Sequence, residues 1–559
     1  MITGAVAVGV GQFVASLGSQ DSSPVVAVGQ AAIGLAPPPV KEFAIRSFGS
    51  DDKIALLTGI LVLLALYAAA IGVLGTHRLR YGLTGLGVFS VIGLWAAVTR
   101  SGATIGYIVP TLVAAAASAI TMTLLLRNIP DRRIAAAPEP PRLPRSQRPD
   151  GLRPAGPRPA RADSAATSAG PQADDAGGAP VPGGEWWPKT PPPATGKPRL
   201  APDEQRRAFL VTSVAATATG AVGFLGGRVL AERGAVTQAR ASLRLPRATY
   251  RPYDKLTPAM NLKIPGISPF VTSNNAFYQV DEELVLPQLA PENWTLRIHG
   301  MVEREVEITF DQLLRRPLTE TYVTLTCVSD PVEGPYISNA QWLGANLADL
   351  IREARPKAGA EQLLSTSVDG YTCGTPVQAV LDGRDALLAV GMNGQPLPVA
   401  HGFPARMVVP GLYGYVSATK WVTDLKLTTW GAEFSYWAQR GWSQQAPIKT
   451  ESRIDVPNGT KTLSPGRTPV AGVAWAQHKG IAAVEVKIDN GPWNEATLAA
   501  VPGVDTWRQW VWYWDATPGN HTIQCRATDH TGYTQTANQI PPEPNGASGY
   551  PSIPVAVSS

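Results

Sequence analysis

The sequence predicts a multi-domain chain: an N-terminal α-helical membrane bundle, an exported strand-rich domain, and a C-terminal all-β sandwich. Three observations lead there. The first 127 residues hold long apolar runs, among them Ile54 to Gly75, Tyr81 to Thr99 and Ala103 to Leu126. Each is long enough to cross a hydrocarbon core of about 30 Å as a helix. From about 250 to 456 the chain is rich in short strands, turns and aromatic residues. Beyond Ser464-Pro-Gly466, alternating strands recur at a spacing of about ten residues between Gly, Pro and Asn turns, the pattern of an immunoglobulin-like sandwich over 464–556. At 559 residues the chain is too long for a single core.

Within residues 1–127, Ile2 to Leu17 is expected to be a further span, whereas Pro24 to Leu35 is short enough to be re-entrant or interfacial. Arg78, Arg80, Arg127, Arg132 and Arg133 flank one side of the spans. The other side holds Arg100, and Lys41, Arg46 and Lys53 diluted by Glu42, Asp51 and Asp52. The positive-inside rule then puts Met1 and the segment after Leu126 in the cytoplasm. The spans carry no acidic or basic residue at mid-depth, which argues against an ion path. His77 is the only histidine before His299, so the bundle lacks the paired histidines of a b-type haem. Residues 128–205 are rich in Pro, Ala, Gly and Arg and read as a disordered linker.

Arg206-Arg-Ala-Phe-Leu210 and the mild apolar stretch after it resemble a twin-arginine export signal, expected here as an uncleaved anchor over 206–230. The alternative is an ordinary fifth span with flanking charges. Either way the chain beyond Ala231 is delivered to the extracytoplasmic face of the cytoplasmic membrane.

Charge and cysteine usage exclude several classes. The net charge of +5 comes with basic residues concentrated in the linker, not on one face of a folded domain, so nucleic acid is not an expected partner. Three cysteines, Cys327, Cys373 and Cys525, occur without any C-x-x-C pair, so iron–sulfur clusters, zinc ribbons and c-type haem lack ligands. Cys327 closes the β-branched run Tyr322-Val-Thr-Leu-Thr-Cys327, at a strand end where scaffolds place reactive groups. Taken alone, it reads as a metal ligand or as a small buried hydrophobe. Cys373 reads as an incidental loop thiol and Cys525 as a core residue.

Several motifs in order resemble the sulfite oxidase superfamily of molybdopterin-dependent oxidoreductases. They are Thr272-Ser-Asn-Asn-Ala-Phe-Tyr278, Trp294-Thr-Leu-Arg-Ile-His-Gly300, Leu325-Thr-Cys327, Met392-Asn-Gly-Gln-Pro-Leu-Pro398, His401-Gly-Phe-Pro-Ala-Arg406 and Ser417-Ala-Thr-Lys-Trp421. The resemblance implies an α+β molybdopterin domain over 250–456, with a molybdenum ion bound by the thiolate of Cys327. It implies cofactor binding at Asn274, Phe277, Tyr278, Cys327, Ser367, His401, Arg406, Ser417 and Lys420. A soft thiolate suits the metal, and His401, Arg406 and Lys420 suit a phosphate. It also implies a homodimer paired through the sandwich.

Arginines that sulfite oxidases place near the metal are missing here. Where one is expected after the metal cysteine, the chain reads Val328-Ser-Asp-Pro-Val-Glu333, and Asp330 and Glu333 are expected to repel an anion. The Asn-Asn-Ala-Phe-Tyr opening is more similar to the periplasmic methionine sulfoxide reductase catalytic subunit. The expectation is a membrane-anchored molybdenum oxidoreductase that transfers an oxygen atom on a small S-oxide-type substrate, with Cys327, Asp330 and Tyr413 as catalytic residues and a separate electron-transfer partner. The alternatives are a genuine sulfite oxidase and a non-catalytic envelope binding protein on a degenerate molybdopterin fold.

Overall fold

The computed structural model describes residues 1–17, 22–37, 52–99, 105–127, 202–232, 235–253, 256–282, 284–459 and 461–559. The linker expected over 128–205 lies outside them except for its last four residues, which begin a helix.

The apolar runs form helices α1 (Ile2–Ser16), α2 (Pro24–Leu35), α3 (Asp52–His77), α4 (Leu79–Val98) and α5 (Val109–Arg127). The long helix α6 (Pro202–Glu232) carries Arg206 and Arg207 in its second turn. Four segments are long and apolar enough to cross a membrane: Ala55–His77, Leu79–Val98, Gly106–Arg127 and Arg206–Gly226. The apolar run expected over 2–17 forms helix α1 and is shorter than those four segments. α1 has 15 residues, about 22 Å at 1.5 Å per residue, short of a full crossing. It packs instead against α6, where a Cβ at Gly9 would overlap the Gly220 carbonyl and one at Gly223 would lie 2.7 Å from the Gly9 oxygen. Such close backbone approach is how helices associate where lipid gives no hydrophobic drive.

After a short helix, α7 (Ala235–Ser242), come two sheets of five strands each. In the first, Thr295–Gly300 pairs in parallel with Val422–Thr428, and Val306–Thr309, Gln362–Ser367 and Thr372–Pro376 add in antiparallel fashion. The second is antiparallel and joins Leu318–Thr326, Ile337–Asn346, Leu387–Met392, Gln395–Pro396 and Arg406–Val408. Helix α8 (Phe310–Leu314) starts in a capping box between Thr309 and Gln312, which satisfies two backbone donors. Helix α9 (Leu347–Ala354) is capped by Asn346 and buries Leu347, Leu350 and Ile351 in a core shared with Trp294, Leu296, Ile298 and Leu425. The domain is therefore α+β.

Beyond it lie two four-stranded antiparallel sheets, with Gly466–Trp475 and Arg508–Ala516 central in one and Ile481–Ile488 and Gly519–Asp529 in the other. Val470, Trp510 and Trp514 of the first meet Val484, Ile523 and Cys525 of the second in one core. This sandwich packs on the strand that ends at Cys327. Trp507 donates from its ring nitrogen to the Phe270 carbonyl (2.9 Å) and from its backbone to Thr324 Oγ1 (2.8 Å). Gln477 Nε2 reaches the Thr324 carbonyl (3.1 Å) and Thr326 Oγ1 (3.0 Å).

Candidate functional site

Cys327 is the first residue beyond the strand Leu318–Thr326. Its N–H donates to the Tyr336 carbonyl (2.9 Å), and its own carbonyl accepts from the Asp330 N–H (3.2 Å). These bonds fix the turn and leave the side chain half-buried, whereas Cys373 and Cys525 are fully buried. The thiol opens on a cavity of about 120 Å³ for water-sized molecules, within a void of about 900 Å³ counted to its mouth.

The cavity draws on loops far apart in sequence. Phe277, Tyr278, Ser367, His401, Arg406 and Lys420 line it with Cys327, as the motifs predict. Arg406 is 4 % exposed, with its guanidinium 5.0 Å from the centroid of the Trp342 ring. Its Nε, Nη1 and Nη2 donate to the carbonyls of Met407, His401 and Ala418 at 3.4, 3.2 and 3.3 Å. No ion pair to Arg406 is formed among the described residues, and burial lowers its pKa to about 10. A buried cation answered only by carbonyls, with N–H donors to spare, calls for an anion.

His401 Nε2 lies 3.0 Å from the Asn274 carbonyl. A carbonyl only accepts, so Nε2 carries the proton and Nδ1 is an acceptor. Burial, then the Arg406 charge, lowers the imidazole to about 4 and keeps it neutral. Ser367 is 3 % exposed, and its Oγ is buried with no hydrogen-bond partner. Burial pushes the Tyr278 and Tyr371 hydroxyls well above their usual range, so both stay protonated as donors. Burial also pushes the Cys327 thiol up to about 11 against hydrogen bonds from Ser329. A thiolate at this position therefore needs a cation beside it.

Four expected site residues are placed elsewhere. The Asn274 side chain accepts from Asn393 Nδ2 (2.8 Å) and supports the loop from behind, while its carbonyl orients His401. Ser417 Oγ donates to the carbonyls of Leu412 and Tyr413, both at 3.0 Å, because its short helix turns the hydroxyl back on its own backbone. Asp330 and Tyr413 line a separate pocket with Glu333 and Glu451. Asp330 Oδ1 accepts from the Tyr336 N–H (2.9 Å), and burial raises its pKa to about 7. The Glu333 carboxylate accepts from the Ile454 N–H of the sandwich. Asp330 and Glu333 thus lie outside the Cys327 cavity, although the Asp330 charge still adds to the rise of the Cys327 thiol.

Lys420 lines the cavity but pairs with Asp281 at 2.9 Å, so its charge is already answered. Cys373 is corrected too: it lies on the strand Thr372–Pro376, not in a loop.

Sequence reasoning missed the acids that do line the cavity, Asp281, Glu282 and Asp369. The pair after Tyr278-Gln-Val280 was the available signal. It also missed Tyr415 and Trp442, which form a wall with Trp437.

Residues 283–437 match the model of the oxidoreductase molybdopterin binding domain. Mitochondrial sulfite oxidase of Rattus norvegicus is 27 % identical over 288 residues, 44 % of this chain and 52 % of that protein. Sulfite oxidase of Gallus gallus is 28 % identical over 325 residues, 49 % of this chain and 69 % of that protein. The chain thus spans about half the length of the rat relative. A sulfane dehydrogenase structure from Paracoccus pantotrophus is 22 % identical, with a TM-score of 0.46, covering 57 % of this chain and 94 % of that one.

Proposed function

We propose, from the premise that the chain is a molybdopterin oxidoreductase of the sulfite oxidase superfamily, that it exchanges an oxygen atom with a small uncharged S-oxide at the Cys327 cavity. The single observation that carries this is the pairing of a half-buried thiol with a buried Arg406 that no described carboxylate answers, across one cavity.

The residues fit the cofactor. Arg406 would hold the pterin phosphate, Ser367 Oγ and His401 Nδ1 would answer polar edges, and Cys327 would ligate the metal. When bound, the group supplies two-electron oxygen-atom transfer. The rest is the chain's work. Tyr278 and Tyr371, held protonated by burial, donate to a substrate oxygen. Trp437 and Trp442 shape the wall and limit water. Beside the Asp281–Lys420 pair, Glu282 and Asp369 add carboxylates to the lining that disfavour a dianion.

The fold supports an extracytoplasmic catalytic domain. Arg78 and Arg80 mark one end of α4, while Trp95 and Thr99 at its other end share a pocket with Tyr371, Tyr436 and Arg440 of the domain. By the positive-inside rule, the domain is on the outer side. A retained α6 anchor, a homodimer through the sandwich and an external electron partner belong to the same reading.

Genuine sulfite oxidation is the second reading, favoured by the names of the relatives. Dye-coupled turnover with S-oxides, N-oxides and sulfite decides between them. S-oxide reduction at least about tenfold faster than sulfite oxidation is expected; turnover of sulfite alone contradicts the proposal.

A further inference from the structure

A second cavity, of about 330 Å³, lies where the bundle meets the catalytic domain. Its bundle side is mostly apolar, with Ala31, Ile33 and Leu35 of α2 and Trp95 and Ala96 of α4; Gln30, which donates to the Glu282 carbonyl (3.1 Å), and Thr99 are its polar members. Its domain side is polar, with Glu282, Asp369, Tyr371, Tyr436 and Arg440. An occupant must therefore be amphipathic, with a polar head toward the domain and an apolar tail toward lipid. Trp95 stands at the end of its span, where aromatic side chains mark the membrane interface.

Glu282, Asp369 and Tyr371 also line the Cys327 cavity, so the two spaces share a wall. From Tyr371 in that wall a series of aromatic rings leads from one cavity to the other. Tyr371 and Tyr436 lie 5.5 Å apart, Tyr436 and Trp437 5.3 Å, and Trp437 and Trp442 5.9 Å, by ring centroids. The Arg440 guanidinium sits 3.6 Å from the centroid of the Tyr436 ring and brings a positive charge to the polar end. The spans hold no histidine pair for a haem that would carry electrons instead.

We propose that this second cavity binds a membrane-dissolved quinone-class carrier, with its ring beside Tyr371, Tyr436 and Arg440 and its tail along Ile33, Leu35 and Trp95. The proposal rests on the oxidoreductase reading and names its electron partner. The balance is complete: a quinol loses two electrons and two protons to become a quinone, and an S-oxide takes up two electrons and two protons to give a sulfide and water. The electrons cross the shared aromatic wall. A carbonyl oxygen of the ring accepts from Arg440, while the Tyr436 hydroxyl stays on Glu282 (3.1 Å).

The test uses the full-length chain in phospholipid nanodiscs and an azido-substituted benzoquinone with an isoprenoid tail. Irradiation is expected to label peptides containing Trp95–Thr99 and Tyr436–Arg440, and unlabelled quinone should compete the label away. Ala31→Trp fills the apolar end and should weaken labelling by about tenfold, the scale of an overpacked site. Ile33→Trp repeats the measurement should the first variant fold poorly. Labelling confined to other segments overturns the proposal. So does a phospholipid photoprobe that labels these peptides and is not displaced by quinone, which would make the cavity a lipid crevice. Labelling needs no turnover, so dye-driven activity of the same wild-type preparation reports separately on the oxidoreductase reading.

Discussion

Two pockets flank the turn after Cys327, and they solve opposite electrostatic problems. The front one holds a buried cation, Arg406, that no described carboxylate answers, beside an unpartnered Ser367 hydroxyl. The rear one gathers Asp330, Glu333, Glu451 and Tyr413, with all three carboxylates pushed up to about 7, 7 and 8 chiefly by burial. The front is built to receive an anionic group. The rear neutralises its own charge by keeping protons, and serves the junction with the sandwich. Polarity near a reactive residue is thus no guide to its role; what matters is whether the protein already satisfies it.

The largest contrast should come from Cys327→Ser. Turnover is expected to fall at least about a hundredfold, with circular dichroism unchanged. Unaltered activity would remove the thiol from the chemistry.

Next comes Arg406→Met. It removes a buried cation that no described carboxylate answers but also takes the donors from the His401, Met407 and Ala418 carbonyls, so the Tm of the cofactor-free protein should move by no more than the equivalent of about 1 kcal/mol. The same change should lower retained pterin several-fold. Loss of stability without loss of pterin would show that Arg406 is a structural group.

Glu451 tests the rear pocket by pH. Its folded-state pKa of about 8 exceeds the ordinary 4.5, with burial the main cause and Lys449 and Gln535 opposing it. Below pH 4.5 both states are protonated, and no penalty exists. As pH rises from 4.5 to 8 the unfolded chain ionises first, so stability is lost through this window. Glu451→Gln should therefore gain stability relative to the parent across the window, by up to roughly a few kcal/mol. An identical Tm difference at pH 5 and pH 8 would contradict the assignment.

The smallest effect separates two serines. Ser417→Ala breaks hydroxyl bonds to Leu412 and Tyr413 and should cost about 1 kcal/mol of stability with cofactor content unchanged. Ser367→Ala removes an unpartnered hydroxyl, so stability should hold while cofactor dissociates a few-fold faster. The reverse pattern would exchange their roles.

The motifs made much of the front pocket legible. Cys327, His401 and Arg406 stand in short ordered runs, and the structure brings them to one cavity with Phe277, Tyr278, Ser367 and Lys420. The alternation of strands marked Gly466–Trp475, Ile481–Ile488 and Arg508–Ala516. The direction of side chains in turns was not legible. Asp330 and Glu333 follow Cys327 closely, yet a turn with Glu333 at φ 69° aims both carboxylates rearward. Asp281 and Glu282 reach the cavity from a distant loop, and only tertiary packing puts them there. The apolar run from Ile2 to Leu17 marked α1 to within one residue of its end at Ser16.

The central claim is that Cys327 holds a molybdenum cofactor, and elemental analysis with pterin determination tests it most directly. Full-length protein purified after molybdate-replete expression should contain about one molybdenum and one pterin per chain, and Cys327→Ser should retain little metal. Wild-type protein that is folded, monodisperse and free of both molybdenum and pterin would contradict the account.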